Sequence, residues 1–250
     1  MRNYNLGYIS DENLYNHVKE TILQYSETLK AIDLRKFNSN IVDPIKLTFD
    51  RKVYGKSIEE VIIEEISRQR DKTNNNAIGY FHQNLFKYID NCVVPSQGWD
   101  VIVNKGDYSI YVEMKNKHNT MNSSSSAKTF MKMQNCVLNE TRNYCYLVEI
   151  IAKQSQNTNW NVSIDGVQLS HEHVRRVSID QFYKIVTGKE NAFRDLCRVL
   201  TVVIGDVLAT LNDLQKEEDT VIQELKSINP MLTKSIFLLA FSTYEGFDTF

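Results

Sequence analysis

Apolar residues recur every three or four positions over residues 10–37, where Leu14, Val18, Ile22, Tyr25 and Leu29 fall on one stripe. That spacing predicts a helix. Residues 38–55 read as irregular, with a turn at Asp43-Pro44 and a short strand at 45–49. Ser57 and Glu60 have the spacing of a capping box ahead of a second helix to about residue 70, whose inner face is Ile58, Val61, Ile62, Glu65 and Ile66. After a polar connector at 71–76, Ile78, Phe81, His82, Leu85, Phe86 and Ile89 predict a third helix. Later helices are expected at 125–139, with Phe130, Met133 and Val137 inward, and at 180–187, 191–215 and 217–228. Segment 236–241 is apolar and of undetermined type. The continuous apolar run 144–152 (YCYLVEIIA) suits an interior strand, and 160–164 reads as another.

Between these elements lies GWDVIVNKGDYSIYVEMK, residues 98–115, which alternates with a period of two on either side of Lys105-Gly106. A two-residue turn pairs Asn104 with Asp107, Ile102 with Ser109 and Asp100 with Tyr111. Trp99, Val101, Val103, Tyr108, Ile110, Val112 and Met114 then take one face. Asp100, Ile102, Asn104, Ser109, Tyr111, Glu113 and Lys115 take the other, with Glu113 diagonal to Asp100. Two such carboxylates repel unless a cation lies between them, and a hard divalent ion is held by one or two carboxylates plus water and phosphate oxygens. Lys115 on the same side would orient or deprotonate a water, which makes a phosphodiester-cleaving arrangement. The plain alternative is a solvated hairpin face, since Asp50-x-Lys52 and Glu224-x-Lys226 repeat the acid-x-Lys spacing with no evident site.

The chain has 250 residues, 42% of them hydrophobic, which is enough for a substantial single core. Its net charge of −2 gives no general affinity for nucleic acid, but residues 114–139 carry four lysines, four consecutive serines and no acid. Such a tract suits phosphate backbones, and equally a solvated loop. The four scattered cysteines read as reduced thiols, and no apolar leader or 20-residue apolar run is present, so a soluble cytoplasmic protein is expected. His171 and His173 on a strand would share a face and suit a transition metal, but no third ligand follows at a suggestive spacing.

Asp100, the Glu113-Met114-Lys115 triplet and the run NKHNTMNSSS together resemble the PD-(D/E)XK nucleases. Within them the likeness is to type II restriction endonucleases that cut GGNCC sites. A weaker likeness runs through 179–183, 187–188 and 192–193, and Trp99 stands where that motif has proline. The resemblance implies an α/β fold, a central mixed sheet flanked by helices. It would form one domain with a helical part at 1–90, a catalytic sheet at 91–180 and a helical part at 181–250. It also implies Mg2+ held by Asp100, Glu113 and the Met114 carbonyl, a water positioned by Lys115, and hydrolysis of double-stranded DNA to 5′-phosphate and 3′-hydroxyl ends. Lys117, His118, Asn119, Ser123, Ser124 and Lys128 are the expected backbone contacts. Arg175 and Arg176, with Gln154, Gln156 and Asn157, are the candidate base readers. A palindromic target calls for a homodimer, for which 191–215 is a candidate element, and a cognate DNA methyltransferase would be the genetic partner. Glu64 or Glu65 is a further candidate ligand, with a solvated helix face as its alternative. The rival functions are a structure- or damage-specific nuclease with the same triad, and a DNA-binding module that does not cleave.

Overall fold

The computed structural model describes residues 2–118, 120–211 and 214–247. Its helices are α1 (Asp11–Ser26), α2 (Leu34–Asn38), α3 (Pro44–Val53), α4 (Ile58–Leu85), α5 (Ser123–Asn139), α6 (Ile179–Thr187), α7 (Ala192–Leu208), α8 (Val221–Ile228) and α9 (Leu232–Phe241). Its strands are β1 (Cys92–Val93), β2 (Val101–Asn104), β3 (Ser109–Lys117), β4 (Tyr144–Ile151), β5 (Asn157–Asn159), β6 (Val162–Ile164), β7 (Val167–Leu169) and β8 (Val174–Ser178). No helix among the described residues is long and apolar enough to cross a membrane. Two compact units emerge, one from residues 1–21 and 78–211, the other from 22–77 and 212–250.

The first unit is a mixed six-stranded sheet in the order β1-β2-β3-β4-β8-β5, flanked by helices. β3, β4 and β8 run parallel, while β1, β2 and β5 are antiparallel to their neighbours. Phe130, Met133 and Val137 of α5 are fully buried, as the helical spacing predicts, and cover Cys145, Leu147 and Val174 on one face. On the other, α6 packs against β4 and β8 and ends at Gly188, whose φ of 70° is the left-handed conformation glycine adopts at no steric cost.

The hairpin differs from its expected register. Asn104 pairs with Ser109 and Ile102 with Tyr111, so residues 105–108 form a four-residue turn in which Lys105 N–H donates to Tyr108 O. The slip is two residues, so each strand residue keeps its face. Val101, Val103, Ile110 and Val112 are all buried on the inner side. Trp99 lies before the strand begins, and its ring sits 5.5 Å from Tyr111, on the side opposite to the one its parity predicts.

The second unit holds α2, α3, α4 as far as Ala77, α8 and α9 around Phe37, Leu47, Val61, Ile62, Val221, Leu225 and Ile236. The capping box is present, with Ser57 N–H donating to Glu60 Oε2 at 2.7 Å and Glu60 N–H to Ser57 Oγ at 3.1 Å. Four expectations are corrected. The helix predicted over 10–37 breaks after Ser26, and Asp33 starts a new one by accepting from Lys36 N–H. Asp43-Pro44 opens α3 rather than a turn and strand: the Asp43 carboxylate accepts from Ile45 and Lys46 N–H, and proline at the first position needs no donor. α4 runs unbroken through the asparagine-rich 71–76, where neither proline nor glycine stops it. α7 and α8 are shorter than their apolar stripes suggest, and 236–241 proves helical within α9.

Arg70 fastens this unit with a two-pronged bond to Asp219, at 2.7 and 2.8 Å, and donates from Nε to Thr28 O. Burial alone would raise the Asp219 carboxyl. The Arg70 hydrogen bond, the Ile32 N–H and the Arg70 charge outweigh it and hold the group below its usual value. Asp219→Asn should therefore cost about 1–3 kcal/mol at pH 7 in urea unfolding. A carboxyl depressed by folding contributes above its unfolded pKa of about 4 and loses the contribution as pH falls through the folded value. The gap between wild type and variant should thus close on acidification.

Candidate active site

Along β3 the residues pass from buried Ile110 and Val112 to half-buried Glu113–Asn116 and exposed Lys117, so the strand climbs out of the core toward its carboxyl end. Parallel pairing sets Tyr111 beside Cys145, Glu113 beside Leu147 and Lys115 beside Glu149, and on the far side of β4 Leu147 is beside Arg176. Paired residues share a face, so the charged ends of three strands collect at one rim of the sheet. The carboxyl ends of parallel strands are where open α/β sheets bind ligands.

Asp100 is one step beyond the Val101–Val112 pair, where the ladder ends, and is close enough to Glu113 for the two charges to act on each other. Its backbone N–H donates to Val112 O, and its Oδ2 accepts from Met114 N–H at 2.7 Å. From α4, Gln83 Nε2 donates to the Asp100 carbonyl at 3.2 Å. Burial raises the Asp100 carboxyl above its ordinary value, and the Glu113 charge adds to this against the Met114 N–H and two lysines. Glu113 goes the other way. Burial, which would raise it, is outweighed by the hydrogen bonds and charges of Lys115 and Lys132, and the net shift is downward. Lys115 Nζ lies 2.9 Å from Glu113 Oε1, and Lys132 Nζ 3.1 Å from Oε2.

Glu149 comes up at the same rim, 1% exposed. Its Oε1 accepts from Arg176 Nη2, which also lies 2.7 Å from His118 Nδ1. The same Nδ1 lies 3.1 Å from Glu149 Oε2, so His118, Arg176 and Glu149 form one cluster. Lys115, Lys117, Thr120, Met121, Ser126, Trp160, Glu149 and Arg176 line a small cavity of about 60 Å³.

The structure thus brings Asp100, Glu113 and Lys115 together, with Lys117 and His118 next to them. Ser123 and Ser124 are exposed in the first turn of α5, which Asn122 caps by accepting from Ser125 N–H, and Lys128 is exposed one turn on. Asn119 lies outside the described residues. Arg175 is occupied within the sheet, donating to Asn157 and Asn159 of β5, and Arg176 is committed to Glu149 and His118. Glu65 pairs with Arg68 and Glu64 with Lys56, both in the second unit. His171 and His173 are not strand neighbours. His171 Nδ1 accepts from His173 N–H, and the His173 ring stacks on Tyr144 at 4.2 Å.

Sequence reasoning missed Lys132 and Gln83. The signal for Lys132 was a lysine four residues after Lys128; for Gln83 there was none.

Residues 6–209 match the family model described as Eco47II restriction endonuclease. The chain belongs to that family. It is 34% identical over 218 residues to the type II restriction enzyme Sau96I of Staphylococcus aureus, covering 84% of each chain. It is 30% identical over 213 residues to the type II restriction enzyme Eco47II of Escherichia coli, covering 82% of this chain and 88% of that one. Membership of the Eco47II family makes it a site-specific deoxyribonuclease acting on double-stranded DNA, in an enzyme class that generally depends on a metal ion.

The Glu149–Arg176 pair yields a test. Glu149→Ala leaves a guanidinium partly buried without its anion and should cost about 3 kcal/mol in thermal or urea unfolding. Replacing both partners, as Glu149→Leu with Arg176→Met, should recover most of that loss. Equal instability of the single and double variants would show that the pair is not what the charge is held by.

Proposed function

We propose that this member of the Eco47II family cleaves DNA through a PD-(D/E)XK site in which Asp100, Glu113 and the Met114 carbonyl hold Mg2+ and Lys115 positions the attacking water. The observation that carries the reading is the closeness of Asp100 to Glu113 at the end of the β2–β3 ladder, where each carboxylate feels the other's charge, with Lys115 2.9 Å from Glu113. The donor set fits a hard cation. Both side chains are carboxylates, and burial with the Glu113 charge makes ionised Asp100 costly until a positive charge arrives. Among the described residues no cluster of three His, Cys, Asp or Glu side chains stands ready for a metal. The remaining positions around Mg2+ would fall to backbone, water and phosphate oxygens, which is how that ion is commonly bound.

A divalent cation bound there supplies electrostatic polarisation of the scissile phosphate and acidifies a water. The chain's own residues set the geometry. Met114 N–H fixes the Asp100 carboxylate, Gln83 anchors the Asp100 backbone, and Lys115 holds the water in line with phosphorus. As the water oxygen bonds to phosphorus, the bond to the 3′ oxygen breaks, leaving a 5′-phosphate and a 3′-hydroxyl. Lys117, His118, Asn119, Ser123, Ser124 and Lys128 are assigned to the DNA backbone, supported by the acid-free tract they occupy and by the exposed start of α5. A GGNCC target is read from the same sequence likeness. Its two-fold symmetry calls for a homodimer, and a methyltransferase of matching specificity would protect the host genome.

Incubation with phage DNA and Mg2+, followed by sequencing of the fragment ends, should give discrete fragments with 5′-phosphates at GGNCC. Scattered ends would mean a structure-specific nuclease. Asp100→Ala, Glu113→Ala and Lys115→Ala should each lower cleavage at least about a thousandfold, roughly 4 kcal/mol of transition-state stabilisation. With Ca2+ in place of Mg2+, Lys117→Ala and Lys128→Ala should weaken DNA binding and reduce its salt slope by about one each.

A further inference from the structure

We propose that Lys132 is a stand-in cation, which holds Glu113 until a divalent ion takes its place and then passes to a phosphate oxygen of the DNA. The inference rests on the assignment of Asp100 and Glu113 as metal ligands, and goes beyond it to a residue outside the acid-x-Lys motif.

Both oxygens of Glu113 are taken by ammonium groups, Oε1 by Lys115 and Oε2 by Lys132. Each oxygen keeps a second lone pair, but a divalent ion bound there would lie beside two ammonium groups and be repelled by them. Release of one lysine relieves that repulsion, and the surroundings distinguish them. Lys115 belongs to β3, two residues from Glu113, and its backbone is fixed by pairing with β4. Lys132 reaches in from α5, is the more exposed of the two, and has two other partners where it stands. Its Nζ also donates to the Gly98 carbonyl and sits 3.9 Å from the centroid of the Trp99 ring.

Those two partners explain two otherwise separate features. Trp99 stands on the Glu113 side of the sheet, with Tyr111, instead of with Val101, and its face attracts an ammonium without neutralising it. Gly98 has a φ of 93° and turns its carbonyl to Lys132. Once Glu113 is given up, the ring and the carbonyl keep the ammonium at the site with no carboxylate bound to it, and the anion on offer is the DNA backbone. The exchange conserves charge locally: an ammonium leaves as a metal enters, and a phosphate arrives with the metal.

The test is Mn2+ binding to the DNA-free protein, followed by electron paramagnetic resonance, on wild type, Lys132→Met, Lys132→Gln and Asp100→Asn. Single-turnover cleavage is measured at saturating Mn2+. Removal of the competing ammonium should tighten Mn2+ binding at least about threefold in both Lys132 variants, while cleavage falls tenfold or more. The opposite signs separate this role from a merely structural one. Unchanged or weaker Mn2+ binding in both variants, with Asp100→Asn still abolishing it, would overturn the proposal and leave the metal assignment intact. Unchanged binding in Asp100→Asn would overturn the metal assignment, and the proposal with it. Full cleavage by the Lys132 variants at saturating metal would overturn the transfer to phosphate.

Discussion

Everything at the rim of this sheet follows from the cost of setting two carboxylates close together. Two like charges about 5 Å apart in a partly buried setting repel by about 3 kcal/mol. The protein answers unequally. Glu113 receives two ammonium groups and is held below its ordinary value, whereas Asp100 receives one backbone N–H and is pushed above it. Charge is thus concentrated on one member of the pair, and the other keeps a deficit that a divalent ion relieves. A sheet rim that merely faced water would have no reason to assemble lysines from two separate elements around a single glutamate.

Much of this could be read from the chain because the decisive information is parity. The turn proved two residues longer than expected, yet a shift of two returns each paired side chain to its own face, so Glu113 and Lys115 stay on the side that parity predicts. The same holds for Phe130, Met133 and Val137, whose helical spacing survives any small error in where α5 begins. What could not be read depends on backbone leaving its regular path. Trp99 changes sides because the strand starts only at Val101. Asp43-Pro44 has two local outcomes, turn or helix start, and the Asp43 carboxylate selects the second by taking two N–H groups. Residues 71–76 are polar but contain no helix breaker, so composition suggested a connector where the chain continues α4. In β6 and β7 a signal was present and overlooked. Asp165-Gly166, both at positive φ, is a preferred two-residue hairpin turn.

The contributions of Lys132 and Gln83 lay beyond sequence reasoning for a different reason. Each reaches the site from a helix whose placement over the sheet is a tertiary fact, set by the burial of the opposite side of that helix. Lys132 is adjacent to Met133, which is fully buried. The packing of α5 on β4 therefore fixes where the lysine stem starts, and its four carbons do the rest.

The buried Glu149–Arg176 pair does for β4 and β8 what alternation alone cannot. Hydrophobic patterning tolerates a slip of two between parallel strands as readily as between the arms of the hairpin. Arg176 lies beside Leu147 and reaches forward to Glu149, and a slip of two would place it beside Cys145 or directly beside Glu149. In the first case the distance to Glu149 grows by about two residues' rise and both charges are left partly buried without partners. A buried ion pair adds little net stability over apolar residues, so its use here is discrimination between registers that apolar burial leaves nearly equal. Register in turn fixes which residue of β4 stands beside Lys115, and hence the width of the cavity next to it. The neighbour of the candidate catalytic lysine is therefore set by a pair with one member beside it on β4 and the other two strands away on β8.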